Sequence, residues 1–347
     1  MHGIKQLLFK SDTGNFHTSW CQGFYFHKKL EYGIWQEKGG PCGIIATVQA
    51  FFLKHLLFVQ KQKLTGLSLQ LKNNCIASAI ADILLNAASG NPSGAVNLVV
   101  PRGAQGLRAN PTPCQPSACQ KLTFNSGPDQ RRRLLGTLLS SIGSFTEETG
   151  AGVVCLVYSV ILTKGVEEMR ADFDFEVSLI NEYGYASQEL INTMLVGKSA
   201  SNCFDGDKVM GPDLTLKGIE RQSEIGFLTL FEHYGNFEVG DYLKRPVLPI
   251  WVICSESHYS IMFSTNFALA GQMVTPGSRP FDVIYYDELA KQEEDIILTV
   301  EPGKYVAGGK RGLDGRTQQE YTVPIDAVLR TKWAKANINW NGRTVIL

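Results

Sequence analysis

Apolar residues recur at helical spacing through 42–60 (CGIIATVQAFFLKHLLFVQ), where Ile44, Ile45, Val48, Phe51, Phe52 and His55 fall three and four apart. The segment is apolar on most sides, which predicts a buried central helix. A second helix is predicted over 75–87 (CIASAIADILLNA), and a third begins in 131–139. Residues 151–163 (AGVVCLVYSVILT) are dense in β-branched side chains and read as a buried strand. The stretch 225–234 (IGFLTLFEHY) fits either element. Four later runs, 247–254, 258–263, 282–286 and 295–300, follow one another at hairpin spacing and predict successive strands. In 258–263, alternation sets His258, Ser260 and Met262 on one face and Tyr259, Ile261 and Phe263 on the other. Helices early and a mainly antiparallel sheet late make an α+β arrangement.

Proline interrupts this pattern. Six of the 14 prolines (Pro92, Pro101, Pro111, Pro113, Pro116 and Pro128) fall within 89–130, which excludes a long helix and predicts a loop insertion. Residues 270–282 and 302–317 read as two further loops. The length of 347 residues allows roughly two domains. Lys and Arg total 33, as do Asp and Glu, so no bulk positive charge drives nucleic-acid binding. No membrane-spanning run is expected, and Met1–Lys10 lacks a secretory apolar region. The Arg131-Arg132-Arg133 run reads as a solvated helix start.

Eight cysteines occur: Cys21, Cys42, Cys75, Cys114, Cys119, Cys155, Cys203 and Cys254. None forms a C-x-x-C pair, and no His lies near Cys114 and Cys119, so neither a metal nor another cofactor is expected. Free thiols fit a cytoplasmic location, with the nucleus also open.

One cysteine stands apart. Cys42 follows Gly39-Gly40-Pro41 and begins the long apolar helix. A thiol there sits at the positive end of the helix dipole, which favours thiolate. Thiolate attack on a carbonyl creates an oxyanion that needs preplaced donors. The Cys42 backbone N–H is one candidate, and the side-chain amide of Gln36, six residues earlier, is the other. Among six histidines, His258 begins a strand far downstream, where a Cys–His pair can meet in space. Asp287, at the end of the next strand, is the candidate to orient the imidazole, with Asp282, Glu256 and Asn266 competing.

These residues carry a resemblance. The run 32–46 (YGIWQEKGGPCGIIA) resembles the nucleophile motif of the MINDY family of deubiquitinases, in the branch with its third and fourth human members. Further matches are 197–206 (GKSASNCFDG), 226–234 (GFLTLFEHY), 249–260 (PIWVICSESHYS) and Tyr285-Tyr286-Asp287. Ile325-Asp326, 330–333 (RTKW), 339–342 (NWNG), Leu8-Phe9, Trp20 and Phe24 also agree, so the likeness covers nearly the whole chain. It implies a variant papain-like cysteine protease fold. The helical part carries the Cys and the sheet carries the His.

The resemblance also implies cysteine isopeptidase activity on polyubiquitin, with preference for the lysine linkage that marks proteins for the proteasome. The implied nucleophile is Cys42, the histidine His258 and the oxyanion-hole residue Gln36. Asp287 rests on strand geometry alone. Two departures from the resemblance are expected: a chain without the long N-terminal extension usual in the fourth-member type, and a proline-rich insertion near 90–120 that matches no family pattern.

Cys42 and His258 must share one site, which favours a single catalytic domain over 1–347, acting as a monomer. A narrow groove for a glycine tail is expected beside Gly39 and Gly40, and a second ubiquitin site near 232–234. The alternatives are an inactive ubiquitin-chain binder and a small-molecule thiol amidase or acyltransferase. Papain-like deubiquitinases can rest with the Cys–His pair misaligned.

Overall fold

The apolar run starting at Cys42 forms an α-helix over Cys42–Leu53 in which every residue is buried. It continues as a π-helical stretch over Lys54–Val59. Residues are those of a computed structural model, which describes 2–101, 119–270, 274–305, 309–311, 317–319 and 323–344. Contrary to expectation, this 18-residue run is long and apolar enough to cross a membrane. Within the protein 78 % of it is buried, so here it is a core helix.

The second predicted helix is longer than its apolar pattern, spanning Leu69–Ser89. Ser68 sets its start, since the Ser68 hydroxyl accepts from the Leu71 amide. The third spans Gln130–Ser140. Residues 151–163 are not a strand: Gly152–Lys164 is an α-helix with every residue but Leu162 buried. A helix enclosed on all sides has no polar stripe to mark its period, and packing overrides the β-branched preference. The insertion at 89–130 is not all loop either. Val96–Pro101 pairs antiparallel with Cys119–Phe124 and packs against the Gly152–Lys164 helix. Cys114 and most of the proline-rich stretch, 102–118, lie outside the described residues, as do parts of the other two predicted loops.

A six-stranded sheet forms the second layer. Its order is Asn337–Asn339, Ile296–Glu301, Phe281–Tyr286, His258–Phe263, Ile250–Ser255 and Gly226–Thr229. Neighbours are antiparallel except the last pair, which is parallel. The ambiguous run divides, with the strand Gly226–Thr229 passing into a helical turn at Leu230–His233. The expected alternation along 258–263 holds. Tyr259, Ile261 and Phe263 join the core cluster of the Cys42 helix, whereas Met262 joins a second cluster beneath the Pro324–Lys332 helix.

One buried ionic knot ties the helices together. Asp82 accepts from His55 Nε2 at 2.6 Å and from Lys54 Nζ at 2.9 Å, and it also pairs with Arg131. Arg131 therefore caps an internal carboxylate, while Arg132 pairs with Asp129. Burial alone would raise the Asp82 pKa, but His55 and Lys54 outweigh it and hold the carboxyl well below its ordinary range. Its contribution to stability is present above about pH 4 and is lost as pH falls further. Asp82→Ala leaves buried His55 without its anion and half-buried Lys54 with Glu224 alone. The expected loss is about 3–5 kcal/mol by chemical denaturation at neutral pH, and a loss under about 1 kcal/mol contradicts this account.

Candidate active site

The segment before Cys42 is clamped from two sides. Gln49, on the Cys42 helix, accepts from the Ile34 amide at 2.7 Å and donates to the Tyr32 carbonyl at 2.9 Å. From the sheet, Tyr286 donates its hydroxyl to the Ile34 carbonyl at 2.8 Å. That ring lies so close that a Cβ at Gly33 would meet it at 2.4 Å, so only glycine fits. The Gln36 amide then donates to the Glu288 carbonyl at 3.0 Å. Residues early and late in the chain meet here.

Gly40 turns the backbone into the helix at φ +126°, and a Cβ there would meet Ser19 Oγ at 2.8 Å. Gly39 is exposed and under no such constraint. Pro41 accepts at its carbonyl from the amides of Ile44 and Ile45. Among the described residues no side chain caps this helix, so its positive end is presented at Cys42. The Cys42 thiol is 2 % exposed and points at the Ser257 carbonyl, 3.9 Å away.

His258 is the first residue of its strand, after a tight turn with Glu256 at φ +55°. The Ile261–Tyr286 register runs the end of one strand beside the start of the other, which brings Asp287 to His258. His258 Nε2 donates to Asp287 Oδ1 at 2.9 Å. The same oxygen accepts from the amides of Leu289 at 2.9 Å and Ala290 at 3.1 Å, so the carboxylate is fixed before it meets the ring. Burial opposes a charge on His258, but the hydrogen bond to Asp287 and the neighbouring Cys42 outweigh it and raise its pKa to about 10.

The structure therefore brings together Cys42, His258, Asp287 and the backbone of Gln36. The Gln36 side chain is buried, and its Nε2 donates to the Lys38 carbonyl at 2.7 Å. The competitors of Asp287 are engaged elsewhere. Asp282 accepts from Thr299 at 2.7 Å, Asn266 accepts from the Ala268 amide, and Glu256 is exposed in the turn. Other histidines are also occupied: His55 on Asp82, and His27 stacked on Trp35. Burial pushes the thiols of Cys75 and Cys254 up to about 11 and about 12, and raises those of Cys21 and Cys203. Those four are held as thiols at neutral pH.

Sequence reasoning missed Glu288. It is fully buried, and burial followed by the charge of Asp287 drives its carboxyl well above the ordinary carboxylate range. Its one sequence signal is adjacency to Asp287; its burial follows from the fold.

The MINDY-3/4 deubiquitinating-enzyme conserved domain matches residues 5–342. The mouse (Mus musculus) protein named probable ubiquitin carboxyl-terminal hydrolase MINDY-4 is 39 % identical over 360 aligned residues, which covers 99 % of this chain and 46 % of that protein. The human (Homo sapiens) protein of that name is also 39 % identical, over 99 % of this chain and 45 % of its own length. Human ubiquitin carboxyl-terminal hydrolase MINDY-3 is 34 % identical over 77 % of this chain and 64 % of its own. The chain thus spans a little under half the length of the MINDY-4 relatives it matches. No solved structure matches. With a family domain that covers the helix bearing Cys42, the strand bearing His258 and nearly all that lies around them, this chain belongs to the MINDY-3/4 family of deubiquitinating enzymes.

Proposed function

We propose that this chain is a single catalytic domain of a cysteine deubiquitinase that cleaves isopeptide bonds in polyubiquitin of the proteasome-targeting linkage. The observation that carries this reading is the convergence of Cys42, His258 and Asp287 where the Cys42 helix begins against the His258 strand. His258, protonated at neutral pH by the raised pKa, complements a thiolate on Cys42. The thiolate attacks the carbonyl carbon of the terminal ubiquitin glycine. The imidazolium then gives its proton to the departing lysine amine as the C–N bond breaks, which leaves a thioester. Water, deprotonated by the now neutral His258, hydrolyses the thioester and regenerates the thiolate–imidazolium pair. Asp287 holds the ring throughout.

The oxyanion takes hydrogen bonds from the Cys42 backbone N–H and from Gln36. One Gln36 N–H is used by Lys38, and the amide has a second to offer. At rest the thiol faces the Ser257 carbonyl, and substrate entry beside Gly39 turns it to the scissile carbon. Phe231 and Tyr234, 43 % and 56 % exposed, supply apolar area for a second ubiquitin near 232–234. The free thiols fit a reducing, cytoplasmic setting, and one chain holds all the parts of the reaction, as a monomer requires.

Turnover of ubiquitin chains of each lysine linkage tests this reading. Wild type should prefer the proteasome-targeting linkage. Cys42→Ala and His258→Ala should each fall by on the order of 10³-fold or more. Equal turnover in all three proteins contradicts the assignment of residues, and binding without cleavage by wild type favours an inactive chain binder.

Stability carries a second signature. Because the folded state raises the His258 pKa, the stability this group draws from its partners is fully present below about pH 6.5 and is lost as pH rises through about 10. Thermal melts of wild type and Asp287→Asn should therefore differ most near pH 6 and converge toward pH 10. A gap that widens with rising pH contradicts the pairing.

A further inference from the structure

Five buried side-chain oxygens lack a hydrogen-bond partner among the described residues, and three of them belong to Gln36 and Glu288. They are Gln36 Oε1 and both carboxyl oxygens of Glu288. Each such group costs about 1–3 kcal/mol of desolvation, so three of them on two residues are not neutral for the fold. The two residues are already joined through the main chain, because the Gln36 backbone N–H donates to the Glu288 backbone carbonyl at 3.0 Å. Their unmet needs are complementary. An amide oxygen is an acceptor, and a carboxylic acid carries one O–H donor. Glu288 is fully buried beside Asp287, where a second carboxylate charge is costly, so it is the acid form that the site accommodates.

We propose that Glu288 is a positioning residue for the oxyanion hole, donating its acid O–H to Gln36 Oε1 when substrate is engaged. The proposal rests on the deubiquitinase reading above. Gln36 is then held at both ends of its amide, by Lys38 at one N–H and by Glu288 at the oxygen. The amide plane is fixed, and the remaining N–H is the donor left to serve the developing oxyanion. A donor aimed in advance stabilises the transition state without reorganising at the moment of reaction. Glu288 touches no reacting atom and acts only through Gln36. Asp287 and Glu288, adjacent in sequence, thereby divide two tasks between an anion that orients the imidazole and an acid that orients the amide.

The test compares kcat and KM for ubiquitin-chain cleavage in wild type, Glu288→Met, Glu288→Gln and Gln36→Ala. Glu288→Met removes the donor while filling the space, and kcat should fall about 10-fold or more with KM little changed. Glu288→Gln restores an N–H donor and should recover most of that loss. In the Gln36→Ala background, Glu288→Met should add no further loss, because both act through the same amide. Infrared spectra supply a readout in the unmutated protein. Ubiquitin bearing a C-terminal aldehyde forms a hemithioacetal with Cys42 and puts an oxygen in the oxyanion position. The protonated-carboxyl band should shift to lower frequency on adduct formation. Full kcat in Glu288→Met, equal losses in Glu288→Met and Glu288→Gln, or a band that does not move each overturns the proposal. Wild type that cleaves no ubiquitin chain overturns the deubiquitinase reading itself, a result separate from any of these.

Discussion

Burial of the Cys42–Leu53 helix between the Leu69–Ser89 helix and the strands His258–Phe263 and Ile250–Ser255 is the interaction on which the rest of the structure depends. Ile44, Ile45, Val48, Phe51, Phe52 and Leu53 are fully enclosed there. At about 1.5–3 kcal/mol per side chain, their burial is worth at most about 9–18 kcal/mol. A single hydrogen bond contributes about 1 kcal/mol. The helix start is therefore placed by packing, and the polar groups of the site adjust to it. Cys42 has little freedom, because its helix cannot slide along the His258–Phe263 strand without opening the core.

A second constraint joins distant parts of the chain. Gly33 accommodates the Tyr286 ring, Tyr286 binds the Ile34 carbonyl, and Glu288 binds the Gln36 amide. The loop before Cys42 and the turn after Tyr286 thus behave as one unit. That unit carries the proposed oxyanion donor and the His258 partner together. The zero net charge fits this design, since the charges that matter are local and paired.

Much of this was legible in the residues. The strand 258–263 has the same bounds in both readings, because one face of it is polar at His258 and Ser260 and the alternation is clean. Cys42 at a helix start was legible because glycine and proline announce the turn. The helix at Gly152–Lys164 was not, because total burial erases the periodicity that distinguishes helix from strand. The pairing of Val96–Pro101 with Cys119–Phe124 was hidden behind the prolines between them. Within the site, Asp287 could be placed from strand order, but the direction of the Gln36 amide depends on the Lys38 carbonyl, which no spacing rule encodes. Glu288 was invisible for a similar reason: adjacency to Asp287 says nothing of solvent, and its chemistry comes from complete burial.

The central claim is that Cys42 is the nucleophile of a ubiquitin-directed site. It is tested most directly by labelling the protein with ubiquitin bearing a C-terminal electrophile and locating the adduct by mass spectrometry. One ubiquitin per chain, attached at Cys42 and absent from Cys42→Ala, is the predicted result. No adduct, or an adduct on another cysteine, would contradict it, whatever small alkylating agents do to the same thiols.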